Sequence, residues 1–204
     1  MKRLILLALT IGLLIFVSAG IAGEKKGGAK SPDGTVEVAI DLPVGERIKN
    51  IGSKKDGAGM CVFSSCEMSM RWANLEEWRG WRDWCAANYP GGGYPEKVDK
   101  LIKAYADAKK IPIPPYLQFK GKDLAPIKSA LAVGRMPAVT YNANHMVNCV
   151  ALEDKWACVL DNNYVGEEEL KWMSPADFDK TYNAGGGGWC VIFLAPGPPP
   201  PPWN

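Results

Sequence analysis

One histidine in 204 residues is the sharpest scarcity in this sequence. With a lone imidazole at position 145 and no C-x-x-C pair among six cysteines, the sets that build structural zinc sites are missing, so no metal and no organic cofactor is implied. Charge of one sign is scarce too. Lys and Arg total 24 against 22 Asp and Glu, a net charge of +2 with no long basic run, which argues against a nucleic-acid partner. No segment repeats itself, so a solenoid is excluded. The one long apolar run stands at the start, where Met1-Lys2-Arg3 leads into "LILLALTIGLLIFV" and then "SAGIAG" before charge returns at "EKK". That run is too short to span a bilayer, and small residues follow it, so residues 1–22 read as a signal peptide cleaved after Ala19 or Ala22. No cysteine ends the run for a lipid anchor. The expectation is an exported chain, periplasmic, cell-envelope or extracellular, without stable membrane insertion after cleavage and with no long pro-segment before its domain.

What is abundant is glycine (22) and tryptophan (8), a composition that suits a packed globule and not a disordered chain. Residues 23–34 are polar and glycine-rich and read as a flexible lead-in; 35–196 is the size of one domain; 197–204, "GPPPPPWN", reads as an extended proline-rich tail. Within the domain "TVEVAIDLPV" alternates as a half-buried strand would. A helix is expected from Cys61, carrying Val62, Cys66, Met70 and Ala73 along one side. "NLEEWRGWRDWCAAN" places Asn74 and Glu77 as a capping box, with Trp78, Trp81 and Cys85 on one face. Pro95 opens "PEKVDKLIKAYADAKK", whose Val98, Leu101, Ile102 and Tyr105 keep helical spacing. After "IPIPPY" comes a further helix, "DLAPIKSALAV", closed by Gly134. The period then changes: "MPAVTY", "HMVNCVAL", "WACVLD" and "GWCVIFLA" are short β-rich runs. The fold class is α+β, with a helical N-terminal half and an antiparallel β-sheet C-terminal half.

A thiol attacks as thiolate, and the first turn of a helix favours negative charge through its unpaired amides and dipole. Cys61, behind Gly57 and Gly59, holds that position. Cys66 lies more than a turn further in, on the apolar stripe, where a thiol is inert or bridged. A thiolate needs a base, and only His145 is on offer, at the start of a strand after "NAN". The base needs an orienting acceptor. Asp161 and Asn162 end the next strand, and a hairpin turning near "EDK" would return them beside His145. Either residue fits at this point, and a plain turn explains "LDNN" as well.

These residues resemble the papain-like cysteine peptidases over most of the chain past residue 22. "GMCVFSS" resembles that family's "GSCWAFS", with Cys61 on the nucleophile; "NYPGGGYPEKVDKLI" resembles "CNGGYP" and the helix after it, which implies that Gly92 and Gly93 line the substrate groove. "HMVNCVALEDKWACVLDNNY" resembles the histidine strand and the strand ending in "KNSWG", with Asp161 at the asparagine's place and Tyr164 nearest the tryptophan. "IKSALAVGRMPAVTYNANH" is also similar to the bacteriocin-processing cysteine peptidases, which close their triad with aspartate and so favour Asp161 over Asn162. The resemblance implies a papain-like fold beginning with the nucleophile helix, and a peptide or isopeptide bond cleaved through an acyl-enzyme on Cys61, His145 acting as base and Asp161 orienting it. The partner is then a peptide or protein substrate. At the place of the family's oxyanion glutamine, six residues before the nucleophile, stands Lys55, and Val62 follows Cys61 where the family has tryptophan. The backbone amide of Cys61 supplies one oxyanion donor; Asn50, Ser53 and Lys55 are the candidates for the second. With Cys61 free, the expected bridges are Cys66 to Cys85 and one among Cys149, Cys158 and Cys190. Two other readings remain: a catalytically degenerate peptide-binding module on the same fold, and a disulfide-stapled structural protein of the cell envelope.

Overall fold

The short β-rich runs of the second half assemble into one antiparallel sheet, and the first half supplies helices that cover it. The computed structural model describes residues 28–166 and 170–195, so the expected signal peptide, residues 23–27 of the lead-in and the proline tail lie outside the described residues. Five α-helices, α1 (Cys61–Trp72), α2 (Trp81–Asn88), α3 (Pro95–Lys109), α4 (Ala125–Ala132) and α5 (Pro175–Tyr182), accompany six strands. These are β1 (Tyr116–Gly121), β2 (Ala138–Tyr141), β3 (His145–Leu152), β4 (Ala157–Leu160), β5 (Leu170–Met173) and β6 (Gly188–Phe193), in the order β1-β6-β2-β3-β4-β5. Among the described residues no helix is long and apolar enough to cross a membrane.

Successive residues of a strand face opposite sides. Ala138, Met146, Val191 and Phe193 therefore join the core under α1, α2 and α3, while their neighbours Val139, Val147, Cys190 and Ile192 pack with Ile127 of α4 and Phe178 and Tyr182 of α5. Covered on both faces, β3, β4 and β6 read as nearly unbroken apolar runs. The central helix α1 lies against β3 and is buried over Cys61–Met70, polar positions included. Of its buried hydroxyls, Ser65 and Ser69 find partners across the layer, whereas Ser64 Oγ has none. Ser65 Oγ donates to Met146 O at 3.0 Å, and Asn148 Nδ2 donates to Ser65 O at 3.0 Å and Ser69 Oγ at 2.9 Å. The carboxylate of Glu67, 1 % exposed, accepts from the amides of Gly80 (2.8 Å) and Arg82 (2.7 Å) and from Arg71 (2.8 Å), which ties α1 to the start of α2.

Several expectations change. The single helix expected over 74–88 is a 3-10 turn, Glu76–Trp78, and then α2, and Asn74 caps nothing. Asn74 has φ 56° and Gly80 φ 84°, so the backbone turns left-handed twice and the helix restarts on the Glu67 carboxylate. "TVEVAIDLPV" keeps its alternation, with Val38, Ile40 and Leu42 buried beside Met68 and Leu160, yet forms no strand beyond an isolated bridge between Lys30 and Glu37. Its alternation reports one buried face, not pairing. Just before this segment, residues 31–35 close into a turn around Asp33, whose Oδ1 accepts from Ser31 Oγ and Thr35 Oγ1.

The expected disulfides are absent: all six cysteines are free and buried. Cys149 and Cys190 share a face but sit on β3 and β6, with β2 between them. Two strand spacings separate such strands by roughly 9.5 Å, beyond the ~7 Å that a disulfide spans between Cα atoms. Cys158 faces the other layer. Cys66 and Cys85 pack as apolar side chains among α1, α2 and α3, and burial pushes both thiols well above the ordinary range.

Candidate active site

Three ends of the fold meet where β2 turns into β3. Cys61 is the first residue of α1, so its amide has no acceptor within the helix and its thiol stands in the positive end of the dipole. The chain approaches through a held loop: Met60 N–H donates to Ile51 O at 2.8 Å and Gly52 bridges Gly59. His145 opens β3 directly after a tight turn in which Asn142 (φ 51°) and Ala143 (φ 64°) are left-handed, and it pairs across the hairpin with Tyr141. The turn between β3 and β4 is closed by Glu153 N–H on Trp156 O, and the register Asn148 to Leu160 carries the next residue, Asp161, back to the start of β3.

There His145 Nε2 and Asp161 Oδ1 are 2.8 Å apart, which leaves Nδ1 free of the carboxylate, and the neighbouring Cys61 thiol helps to raise the pKa of the imidazole. Burial disfavours the imidazolium, but the hydrogen bonds and negative charge of Asp161 and Cys61 outweigh it and raise the His145 pKa to about 9. Asp161 is 2 % exposed. Burial would raise its pKa too, yet His145, Lys171 and the Asn163 amide together hold it far below the usual carboxylate range. Oδ2 accepts from Lys171 Nζ at 2.6 Å and Oδ1 from Asn163 N–H at 3.0 Å, so the carboxylate is fixed on both sides.

Asn162, the alternative to Asp161, faces away from the imidazole. Its Nδ2 contacts Cys61 O at 3.0 Å, Ser65 Oγ at 2.8 Å and Met146 O at 2.9 Å, so it pins the start of α1 to the start of β3. Adjacent residues after a strand point to opposite sides, which divides the two roles. Of the residues named for the oxyanion, Asn50 lines the same cavity as Cys61 and His145, with Nδ2 donating to Asn163 Oδ1 at 3.0 Å. Ser53 and Lys55 are corrected: the Ser53 hydroxyl is used inside its own loop, donating to Tyr89 O and accepting from Lys55 N–H, and Lys55 is exposed away from the cavity.

The cavity measures about 460 Å³ and is walled by Cys61, Val62, Gly92, Gly93, Thr140, His145, Met146 and Trp189, among others. A second hollow of about 590 Å³ adjoins it through Gly92, Gly93 and Tyr94. Gly93 is glycine for lack of space: a Cβ there would lie 2.5 Å from Val62 Cβ. The glycine loop is held by Lys97, whose Nζ donates to the carbonyls of Pro90, Gly91 (3.0 Å) and Gly92 (2.9 Å), and by Asp56, which accepts from Gly91 N–H at 2.6 Å. Tyr164 is 60 % exposed and carries the Lys171 ammonium over its ring at 4.3 Å.

Sequence reading missed Lys171, Asn163, Lys97 and Trp189. Lys171 had no signal, because β5 was not expected; Trp189 was legible only as one more core aromatic of "GWCVIFLA".

No family model matches the chain, and no curated protein matches it. Among solved structures it is similar to a chain described as "a double glycine motif protease from AMS/PCAT transporter in complex with the leader peptide", at 16 % identity and a TM-score of 0.45, over 72 % of this chain and 92 % of that one. A likeness of that degree carries no weight on chemistry, which must stand on the site. The class that the site defines is a protein with a helix-borne thiol, an imidazole and a carboxylate in series at the wall of a cleft.

Proposed function

We propose that this chain is a papain-like cysteine peptidase that cleaves peptide or isopeptide bonds through an acyl-enzyme on Cys61. One observation carries the reading: the thiol at the start of α1 and the His145 imidazole open on one cavity, close enough for the thiol to help raise the imidazole's pKa, and His145 is held by Asp161 at 2.8 Å. In the proposed reaction the Cys61 thiolate, paired with the His145 imidazolium, attacks the carbonyl carbon. Negative charge on the carbonyl oxygen is met by the amide of Cys61 and by the Asn50 side-chain amide, which lines the same cavity and uses one hydrogen on Asn163 Oδ1. As the C–N bond breaks, the imidazolium gives its Nδ1 proton to the leaving amine. Water, deprotonated by the neutral imidazole, then hydrolyses the thioester. Asp161 holds the ring and stabilises its charge. The glycine loop 91–93 offers backbone to an extended peptide, so the substrate is a peptide or an exposed protein segment. Export is proposed on the residue pattern of 1–22, and sequencing the N-terminus of the protein recovered outside the cytoplasm tests it.

The test of the chemistry is site-resolved alkylation of Cys61 by iodoacetamide between about pH 5 and 9, read by mass spectrometry, in the wild type and in His145→Ala. Reaction well below the ordinary thiol range of about 8.5, lost in His145→Ala, supports the ion pair. A Cys61 that reacts like an ordinary thiol whether or not His145 is present overturns the reading.

A further inference from the structure

The carboxylate of Asp161 serves two cations at once. Oδ1 lies 2.8 Å from His145 Nε2 and Oδ2 accepts from Lys171 Nζ at 2.6 Å, with almost no water reaching the group between them. Lys171 arrives from β5, at the sheet edge, and its ammonium is gripped from a second side by the Tyr164 ring at 4.3 Å. The titratable and charged groups that face His145 are Cys61 from α1, Asp161 after β4, Lys171 from β5 through that carboxylate, and Tyr141 of β2, whose ring meets the imidazole edge-on at 6.4 Å.

A carboxylate devoted wholly to His145 would stabilise the imidazolium so strongly that it would release its proton slowly. The proposed acylation needs that release: the S–C bond to Cys61 forms, the C–N bond breaks, and the imidazolium proton moves to the departing nitrogen. We propose that Lys171 is a positioning residue that fixes Asp161 Oδ1 on His145 and, by sharing the carboxylate's charge, keeps the imidazolium acid enough to protonate the leaving amine. This inference rests on the cysteine-peptidase reading. Lys171 and His145 sit on the two oxygens of one nearly buried carboxylate, and two like charges so placed interact strongly enough to move a titration by on the order of one pH unit.

The experiment uses the full chain and its one histidine, whose ring resonances report a single titration. Wild type, Lys171→Met, Lys171→Gln and Lys171→Arg are titrated by NMR. Each is then assayed on an N-acylglycine p-nitroanilide and on the matching p-nitrophenyl ester, whose leaving group departs without a proton. Removing the charge raises the His145 midpoint by about one pH unit in the Met and Gln variants, moves the alkaline limb of the anilide kcat/KM with it, and slows anilide relative to ester roughly threefold, as partial proton transfer in the transition state requires. Lys171→Arg restores midpoint and ratio. Lys171→Gln keeps a hydrogen bond to Asp161 without charge, so it answers if Lys171→Met does not fold. A midpoint unmoved in both neutral variants overturns the inference, as does a moved midpoint with an unchanged anilide-to-ester ratio. If the wild type turns over neither compound and Cys61 shows no His145-dependent alkylation, the peptidase reading itself fails and the catalytic use of Lys171 falls with it.

Discussion

Replacing Asp161 by asparagine should flatten the pH dependence of stability between pH 6 and 8.5. The fold raises His145 from 6.5 to about 9, and the buried thiols, also raised, add the same slope near pH 8.5 to wild type and variant alike. A raised pKa means that the folded state holds its proton more tightly than the unfolded chain, so the stabilisation is fully present below about 6.5 and is lost as pH rises through about 9. The imidazole is only 14 % exposed, so little of this is screened away. Integrating the linkage between these two values gives a loss of about 2 kcal/mol from pH 6 to 8.5. For a chain of this size that moves a urea midpoint by roughly 1 M, given slopes of about 1–3 kcal/mol per molar. In Asp161→Asn the carboxylate is gone, burial again opposes the charge, and at least half of that slope disappears. The variant also loses the Lys171 ion pair, but Lys171 stays charged across this range, so that loss is a constant offset and the slope is the readout. Urea unfolding at half-unit pH steps decides it. Parallel curves for wild type and Asp161→Asn would show that the carboxylate does not set the state of the imidazole, and the description of the site would be wrong at its centre.

Three further outcomes follow from the packing. Gly93→Ala places a Cβ 2.5 Å from Val62 and should cost about 1–3 kcal/mol, whereas Gly92→Ala, whose Cβ meets only a carbonyl oxygen at 3.6 Å, should be close to neutral in the same urea assay. Lys97→Met frees the three carbonyls of the glycine loop, and hydrogen exchange of the Gly91 amide should quicken about tenfold or more; unchanged exchange would mean that Asp56 alone holds the loop. Protein purified without reductant and denatured under nitrogen should yield six thiols by colorimetric titration, and a count of four or fewer would restore a bridge.

Much of the fold was legible because its signals were local. The helix from Cys61, α3, α4 and the four apolar runs that became β2, β3, β4 and β6 all stand where period and punctuation put them. What was not legible depended on partners distant in sequence. β1 follows directly on "IPIPP", and proline so near an edge strand hides it; its pairing with β6 is set by residues some seventy positions away. β5 is four half-buried residues at the other edge, too short for a period. α5 could have been found, since Ser174 before Pro175 with Asp177 three on is a start signal, and Ser174 Oγ does accept from Asp177 N–H. At the site, "LDNN" offered two acceptors without saying which faced the imidazole; only the β3–β4 register sends Asp161 one way and Asn162 the other. Lys171 was invisible because its partner is chosen by strand order alone.

The layer between α1 and β3 joins a helix to a sheet through hydroxyls and amides, with Ser65, Ser69, Asn148 and Asn162 buried among methionines and valines. Greasy surfaces allow a helix to slide or roll by a fraction of a residue at small cost, whereas hydrogen bonds with fixed directions hold only at one setting. The spacing between thiol and imidazole is therefore stored in this handful of polar contacts and hardly at all in the bulk of the core. A designer could exchange Met68 or Val147 for other aliphatics of like volume and expect the two reacting groups to stay in step. Trimming the single hydroxyl of Ser65, a change of one oxygen atom, would remove two of these contacts, to Met146 O and from Asn162 Nδ2, and so loosen the setting of the helix on its strand more than an aliphatic exchange would.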